Sequence, residues 1–352
     1  MNRKLRAGIL AATGTVGQRM IQLLANHPWF EVSAVAASDN SAGKKYAQAV
    51  RWMLETPVPA SVAAMTVQTC TPPLDCDFVL SGLPSNVADK VEEDFAKAGV
   101  PVISNAGSHR MKSDVPLLIP EINPDHLDAL NVQKQRFGGK GFIVTNPNCT
   151  TIGLVFPMAA LHNRFGLDAV SVVTMQAISG AGYPGVASLD ILDNVLPAID
   201  SGGEDRKVET EPLKLLGQWK NGTFVDAAIR MSAQTHRVNV RDGHLEAVSV
   251  KLSQKVSRDD VEASIRDFRS PIDELALPSA PRPAVIVETD IQRPQPRLDR
   301  DRGNGMAVVV GPVQPCAVLD YKFRLCSHNT IRGAAGAAIL NAELLYKKGT
   351  IG

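Results

Sequence analysis

The sequence predicts an α/β chain in two parts, a parallel-sheet first half and an α+β second half on a mainly antiparallel sheet. Three observations carry this. Strand and helix patterns alternate from Leu5 to Thr145. A tight turn, Ala11-Ala12-Thr13-Gly14-Thr15-Val16-Gly17, joins the first strand to the first helix. After Cys149 the strands become long and β-branched, with few helices between them. Alternation implies βαβ units, whereas long strands in succession imply an open antiparallel sheet with helices on one face.

Leu5 to Leu10 reads as a buried strand, followed by an amphipathic helix reaching His27. A second strand, Glu31 to Ala37, ends in Ser38-Asp39-Asn40-Ser41-Ala42-Gly43-Lys44. Strands follow at Phe78–Ser81, Pro101–Ser104 and Phe142–Thr145, with a helix near Val87 to Ala98. This is the pattern of a Rossmann-type dinucleotide-binding domain. Beyond it, strands are expected at Ala169–Ala177, Leu245–Leu252, Met306–Gly311 and Val318–Leu325. Ser270 to Arg302, rich in Pro, Asp and Arg, reads as an irregular surface connection. The Ala/Leu-rich helix Ile331–Tyr346 is expected to return to the first domain. The expected division is therefore 1–148 with 329–352, and 149–328.

A chain of 352 residues can build two hydrophobic cores. A net charge of +1 gives no electrostatic case for nucleic acid or a membrane surface. The five cysteines are odd in number and contain no C-x-x-C pair, which argues against a disulfide framework, a redox dithiol or a zinc site. No metal is expected. Met1-Asn2-Arg3-Lys4 runs straight into a strand without a signal-peptide core, so a cytoplasmic location is expected.

The chemistry centres on Asn146-Pro147-Asn148-Cys149-Thr150-Thr151. From Thr150 the apolar residues Ile152, Leu154, Val155, Met158 and Leu161 share a helical face, which places Cys149 at a strand-to-helix turn. Backbone N–H groups and the helix dipole there are expected to lower the thiol pKa and make Cys149 a nucleophile. Its polar neighbours argue against the alternative, an inert buried cysteine.

The first βα turn lacks G-x-G-x-x-G spacing, since its glycines fall at 8, 14 and 17. Its strand–turn–helix context still offers Thr13, Gly14, Thr15 and Val16 to a pyrophosphate. The second strand ends in Ser38, Ser41 and Lys44 rather than an inward acid, which favours a ribose 2′-phosphate and hence NADP. Asp39 opposes this only if its side chain turns inward. A nucleophilic cysteine beside a nicotinamide suggests aldehyde chemistry through a thiohemiacetal and a thioester, with a histidine to handle the proton. His236 and His244 flank a strand–turn–strand boundary that also carries Arg237. His27, His126 and His162 read as surface residues.

Asn146–Thr151, Gln176-Ala177-Ile178-Ser179-Gly180-Ala181-Gly182, Arg237 with His244, Ser104-Asn105-Ala106 with His109-Arg110, and the run Ser327 to Gly336 together resemble the aspartate-β-semialdehyde dehydrogenases. The resemblance runs from the first strand to the last helix. Ala42-Gly43-Lys44-Lys45-Tyr46 and Ile119-Pro120-Glu121-Ile122-Asn123-Pro124 are similar to the archaeal and fungal branch. It implies that NADPH reduces β-aspartyl phosphate to aspartate semialdehyde, for lysine, methionine, threonine and isoleucine biosynthesis, in a homodimer or homotetramer.

Residue by residue, it implies that Cys149 attacks the acyl carbon, His244 takes the proton and Gln176 orients the acyl group. Arg237 clamps the α-carboxylate, as its bidentate fork suits. Glu204 meets the ammonium, Lys207 and Arg110 hold phosphate, and Asn148 lies at the substrate. Ser81, Gly180 and Asn329 join the cofactor site. The run Glu204 to Lys207 reads equally well as a solvated charged turn. Malonyl-CoA reductase shares the framework, but there Glu204 would have no purpose. A non-catalytic homologue fits poorly with an intact Cys149, His244 and Arg237. Ala11 stands where the family has Gly, Asn40 where the branch often has Arg, and Gly107 where Ser is common. A Cβ at position 11 is expected to crowd the pyrophosphate or force a backbone conformation that Ala dislikes.

Overall fold

The computed structural model describes residues 3–352; Met1 and Asn2 lie outside it. Six parallel strands form the first sheet: β1 (Leu5–Leu10), β2 (Phe30–Ala37), β3 (Gln68–Thr69), β4 (Phe78–Ser81), β5 (Val102–Ser104) and β6 (Ile143–Thr145), in the order β3-β2-β1-β4-β5-β6. Their apolar runs are buried because the sheet is covered on both faces. The strand order reverses between β1 and β4, so the crevice for a ligand opens at the carboxyl ends of those two strands. Helix α1 (Thr15–Leu24) starts there, and α2 (Ser85–Lys97) follows β4.

The turn after β1 is tightly built. A Cβ on Gly17 would lie 2.4 Å from the Ala11 carbonyl oxygen, so only glycine fits. Ala11 itself has φ +57°, the left-handed conformation that costs an L-residue about 1–2 kcal/mol. The Ala-for-Gly exchange therefore appears as local strain in this turn.

The second sheet has eight strands: β7 (Leu167–Gln176), β8 (Leu196–Pro197), β11 (Arg230–Arg237), β12 (His244–Leu252), β13 (Val285–Val287), β14 (Val308–Val310), β15 (Gln314–Pro315) and β16 (Tyr321–Ser327). A small hairpin, β9 (Gln218–Lys220) and β10 (Thr223–Val225), stands apart. The sheet is mixed: β7/β11 and β13/β14 are parallel, and the remaining pairs are antiparallel. Helices α3 (Thr151–Phe165), α4 (Gly203–Leu215) and α5 (Arg258–Arg266) contribute Leu154, Val155, Val208 and Val261 to one core with Val170, Val172, Val248 and Val250. On the opposite face of β7, Ser171 and Val173 are exposed.

The chain then returns to the first sheet. Residues 331–335 form one turn of π-helix, and α6 (Gly336–Lys347) is buried from Gly336 to Leu345. Ile339, Leu340, Leu344 and Leu345 share a core with Ile9, Met20, Phe78 and Val144. A helix apolar all round belongs inside. No helix among the described residues is long and apolar enough to cross a membrane.

Three expectations change. Ser270 to Arg302 is not wholly a surface connection: it holds β13, its Ile272 and Leu277 enter the first core, and buried Asp299 accepts from Arg293 Nε at 2.8 Å and from the Gln295 amide at 2.6 Å. His27 is buried, 2.8 Å from Glu343 of α6. His126 is buried against Asn123 and the Gly217 carbonyl, while His162 is half-buried.

Candidate active site

A cleft of about 730 Å³ opens where the two sheets meet. Thr13, Gly14, Thr15 and Val16 line it from the first sheet, with Arg110, Asn148, Cys149, Glu204, Lys207, Arg237 and Asn329, and Gly180 lies against Arg237 and His244. Cys149 sits just before α3. Its Sγ lies 3.2 Å from His244 Nε2, at the first residue of β12, and Arg237 ends the adjoining segment of the same sheet. His236, one residue earlier on β11, points to the other face by strand alternation, and is half-buried.

Helix α4 is the scaffold of the polar wall. Glu204 Oε1 accepts from Asn148 Nδ2 at 2.8 Å, and its Oε2 accepts from Lys207 Nζ at 3.2 Å. Glu204 and Lys207 thus face the cleft, while Arg206 between them is exposed. Two turns further along the same face, buried Glu211 accepts from Arg110 Nη1 at 2.9 Å and from the Asn148 backbone amide at 2.6 Å. Lys214 Nζ donates to the carbonyls of Arg110, Lys112 and Val115 at 2.7, 2.8 and 2.9 Å, and burial pushes its pKa down to about 8. Glu211 and Lys214 were missed by the sequence reading, although Glu204, Lys207 and Glu211 stand at helical spacing.

The opposite wall is held by Asn329. Its Oδ1 accepts from the Gly243 amide at 2.8 Å and its Nδ2 donates to Ser179 Oγ at 2.8 Å, which joins the Ile178–Gly182 loop to the β11–β12 connection. From the returning C-terminal segment, Gly333 presses on the nucleophile: a Cβ there would lie 2.8 Å from Cys149 Cβ. Gly333→Ala is expected to displace the sulfur and lower kcat/KM by about 10²-fold, because reacting atoms misplaced by an ångström cost that much. A steady-state assay beside a melting curve separates this from unfolding.

The expected lowering of the Cys149 pKa is overturned. Burial pushes this thiol up to about 12, with Glu204 adding to the rise and Arg237 and Arg110 opposing it. The helix-start amides expected to stabilise a thiolate are already engaged: Asn148 Oδ1 accepts from Thr150 N at 2.9 Å, and Asn148 O from Ile152 N at 3.0 Å. Burial, with Arg237 adding to it, holds His244 down to about 3, so thiol and imidazole are both neutral at rest. Iodoacetamide alkylation of Cys149 in the free enzyme is thus expected to accelerate about tenfold per pH unit through about pH 9. Cys316, whose thiol is lowered by the Leu319 amide, should react first. Peptide mapping of alkylated protein checks both statements, and a plateau near neutral pH at Cys149 would contradict the first.

Some expected residues lie away from the cleft. Gln176 is fully buried at the end of β7, its Nε2 donates to Thr174 Oγ1 at 3.4 Å, and it does not line the cleft. Ser81 is buried and its carbonyl accepts from Asn105, so its side chain is not a cleft wall. Ser38, Ser41 and Lys44 form a turn after β2, beyond the lining residues, with Lys44 Nζ on the Asn40 carbonyl. Asp39 is exposed.

The cradle for a dinucleotide is open. Helix α1 has no side-chain cap and no acidic residue in its first turn, and buried Thr15 Oγ1 has no partner, so free donors face the cleft. Elsewhere Asp89, Glu93 and His109 bring potential ligand atoms within 4.8 Å of one another. Lys112 Nζ, 2.7 Å from Asp89 and 3.3 Å from Glu93, already supplies the positive charge there.

Comparison with known proteins identifies the family. The family model "Semialdehyde dehydrogenase, NAD binding domain" matches residues 6–130, and "Semialdehyde dehydrogenase, dimerisation domain" matches 158–332. An aspartate-semialdehyde dehydrogenase of Archaeoglobus fulgidus is 50% identical over 342 residues, covering 97% of this chain and 98% of that one. That of Aspergillus fumigatus is 46% identical over 360 residues, covering 99% of each. The crystal structure of the Candida albicans aspartate-semialdehyde dehydrogenase with NADP superposes with a TM-score of 0.91 at 43% identity, covering 99% of this chain and 100% of that one. The chain belongs to the aspartate-semialdehyde dehydrogenase family.

Proposed function

We propose that this enzyme reduces β-aspartyl phosphate to aspartate semialdehyde with NADPH, and runs the reverse phosphorylating oxidation, through a thioester on Cys149. The product is an intermediate toward lysine, methionine, threonine and isoleucine. The observation that carries this is a Cys149–His244 contact of 3.2 Å in a cleft shared with Arg110, Lys207, Glu204 and Arg237.

Cys149 attacks the acyl carbon, and His244 answers the changing charge on sulfur and carbonyl oxygen. Arg237 spends Nη1 on the Ala177 carbonyl at 2.8 Å and keeps the rest of its fork for the α-carboxylate. Glu204, with Asn148 beside it, takes the ammonium, a role that favours this amino-acid substrate over malonyl-CoA. Arg110 and Lys207 hold phosphate, and buried Gln176 supports the acyl pocket from the end of β7. NADPH, when bound, supplies the hydride. Thr13, Gly14, Thr15 and Val16 would hold its pyrophosphate, Gly180 and Asn329 its nicotinamide end, and Ser38, Ser41 and Lys44 its 2′-phosphate, with Ser81 shaping the end of β4.

Residues 1–148 with 329–352 form the cofactor domain and 149–328 the catalytic, substrate-binding and oligomerisation domain. The exposed face of β7 suits pairing of two copies into a homodimer or homotetramer. Five free cysteines fit a reducing cytoplasm. The test is a steady-state assay with aspartate semialdehyde, comparing NADP with NAD and phosphate with none. No phosphate-dependent NADPH formation would reject the reading, as would a preference for malonyl-CoA over β-aspartyl phosphate.

A further inference from the structure

We infer that Glu211 is a positioning residue for the phosphate step: its carboxylate sets the distance between the Arg110 guanidinium and the peptide that leads into Cys149. This rests on the reading of Arg110 as a phosphate holder and of Cys149 as the acyl nucleophile.

Glu211 is 2% exposed and does not line the cleft. Each of its oxygens serves a different part of the chain. Oε1 accepts from Arg110 Nη1 at 2.9 Å, and Oε2 accepts from the Asn148 backbone amide at 2.6 Å. The first donor belongs to the loop after β5, the second to the turn that opens α3. One planar group thus bridges the two elements that a transfer between sulfur and phosphate has to bring together.

A second path closes this bridge into a ring. Arg110 Nη2 donates to the Asn105 carbonyl at 2.7 Å, and Asn105 Oδ1 accepts from Asn146 Nδ2 at 2.8 Å. Asn146 and Asn148 flank Pro147, whose fixed φ stiffens the run between them. From the same helix as Glu211, Lys214 Nζ holds the Arg110 carbonyl at 2.7 Å, so the backbone of Arg110 is fixed along with its side chain. Only Arg110 and Glu211 are charged within the ring, and a hydrogen bond between ions is its strongest link. Arg110 spends Nη1 on Glu211 and Nη2 on Asn105 and still lines the cleft, so donors remain for an anion.

In the phosphorylating direction a phosphate oxygen attacks the thioester carbon. The C–S bond breaks with its electron pair on sulfur, and the phosphate proton passes to sulfur by way of His244. Reacting atoms have to meet at about 3–3.5 Å. Arg110 sets where the phosphate stands, and the Asn148 peptide sets where the sulfur stands. Glu211 fixes one position relative to the other without touching either reactant.

The test is steady-state NADPH formation from aspartate semialdehyde and NADP by the full-length enzyme, with phosphate varied. Glu211→Asp keeps the charge that balances Arg110 but is a methylene too short to reach both donors. Its kcat/KM for phosphate is expected to fall about 10²-fold, the cost of misplacing a reacting group by an ångström. A double-mutant cycle supplies the readout that a merely structural role would not move. In an Arg110→Ala background, Glu211→Asp is expected to cost less than about threefold more, because the shorter acid is then free to serve the Asn148 amide alone. A structural group would cost the same factor in both backgrounds.

An unchanged phosphate kcat/KM in folded Glu211→Asp overturns the inference, as does additivity in the cycle. Should Glu211→Asp not fold, Glu211→Gln takes its place in the same cycle, since an amide oxygen can accept at only one end of the bridge. Failure of both variants to fold overturns the inference by making Glu211 a stability residue. A wild-type enzyme whose turnover ignores phosphate would reject the proposed function, whereas a phosphate-dependent wild type with unaltered variants rejects this inference alone.

Discussion

Cys149→Ala is expected to lower turnover by on the order of 10⁵-fold or more, since loss of a covalent nucleophile removes the reaction path rather than one contact along it. The fold should survive. The sulfur's one hydrogen-bond neighbour is His244, while the turn itself is anchored by Glu211 on the Asn148 amide at 2.6 Å and by the buried face of α3. A melting temperature within about 2 °C of wild type is therefore expected, which corresponds to well under 1 kcal/mol. NADPH binding, read by its fluorescence, should be unchanged because Thr13–Val16 belong to the turn that opens α1, whereas Cys149 belongs to the turn that opens α3. Residual activity of a tenth of wild type would remove Cys149 from the mechanism.

Glu121→Leu is expected to have the largest effect on stability. Arg332 is fully buried in the π-helical turn, with Nη1 and Nη2 at 2.6 and 2.9 Å from the two oxygens of Glu121, itself 1% exposed. Its guanidinium also lies 4.7 Å over the ring of Phe156. Removing one member of a buried ion pair strands the other, at a cost of about 3–5 kcal/mol. The pair joins the returning C-terminal segment to the loop after β5, so its loss loosens a contact between distant parts of the chain. Urea unfolding should show the full loss for Glu121→Leu and a smaller one for Glu121→Leu with Arg332→Met, since the double variant leaves no orphan charge. Equal losses in both would show that the charge itself is not what matters.

The first sheet was legible because its strands are continuous apolar runs separated by turn residues, and periodicity reads such runs directly. Strand β11 was not, because Arg230-Met231-Ser232-Ala233-Gln234-Thr235-His236-Arg237 alternates small and polar residues and its order comes from lying parallel to β7. Cys149, His244, Arg237 and Glu204 were legible through motifs in order along the chain. The direction of the thiol's pKa shift was not, because it is set first by how the folded cleft buries Cys149 and then by Glu204 from a distant helix. His27 and His126 were misplaced for a related reason: what buries them, Glu343 and the Gly217 carbonyl, lies far away in sequence. Gln176, Ser81 and the Ser38–Lys44 turn show the limit of carrying a motif across, since matching residues need not reach the cleft in this conformation.

Gly333 against the Cys149 backbone has a consequence for synthesis. The β-carbon-free surface that completes the nucleophile's pocket belongs to a segment far later in the chain, together with Ala334, whose carbonyl accepts from Asn146 Nδ2 at 3.0 Å. A nascent chain emerging from the ribosome carries its cysteine turn long before this wall exists. The first core itself takes in Ile339, Leu340 and Leu344, so it and the reactive centre are completed together when that later segment docks. The nucleophile's pocket is thus a joint product of two stretches far apart along the chain, and docking of the later one completes it.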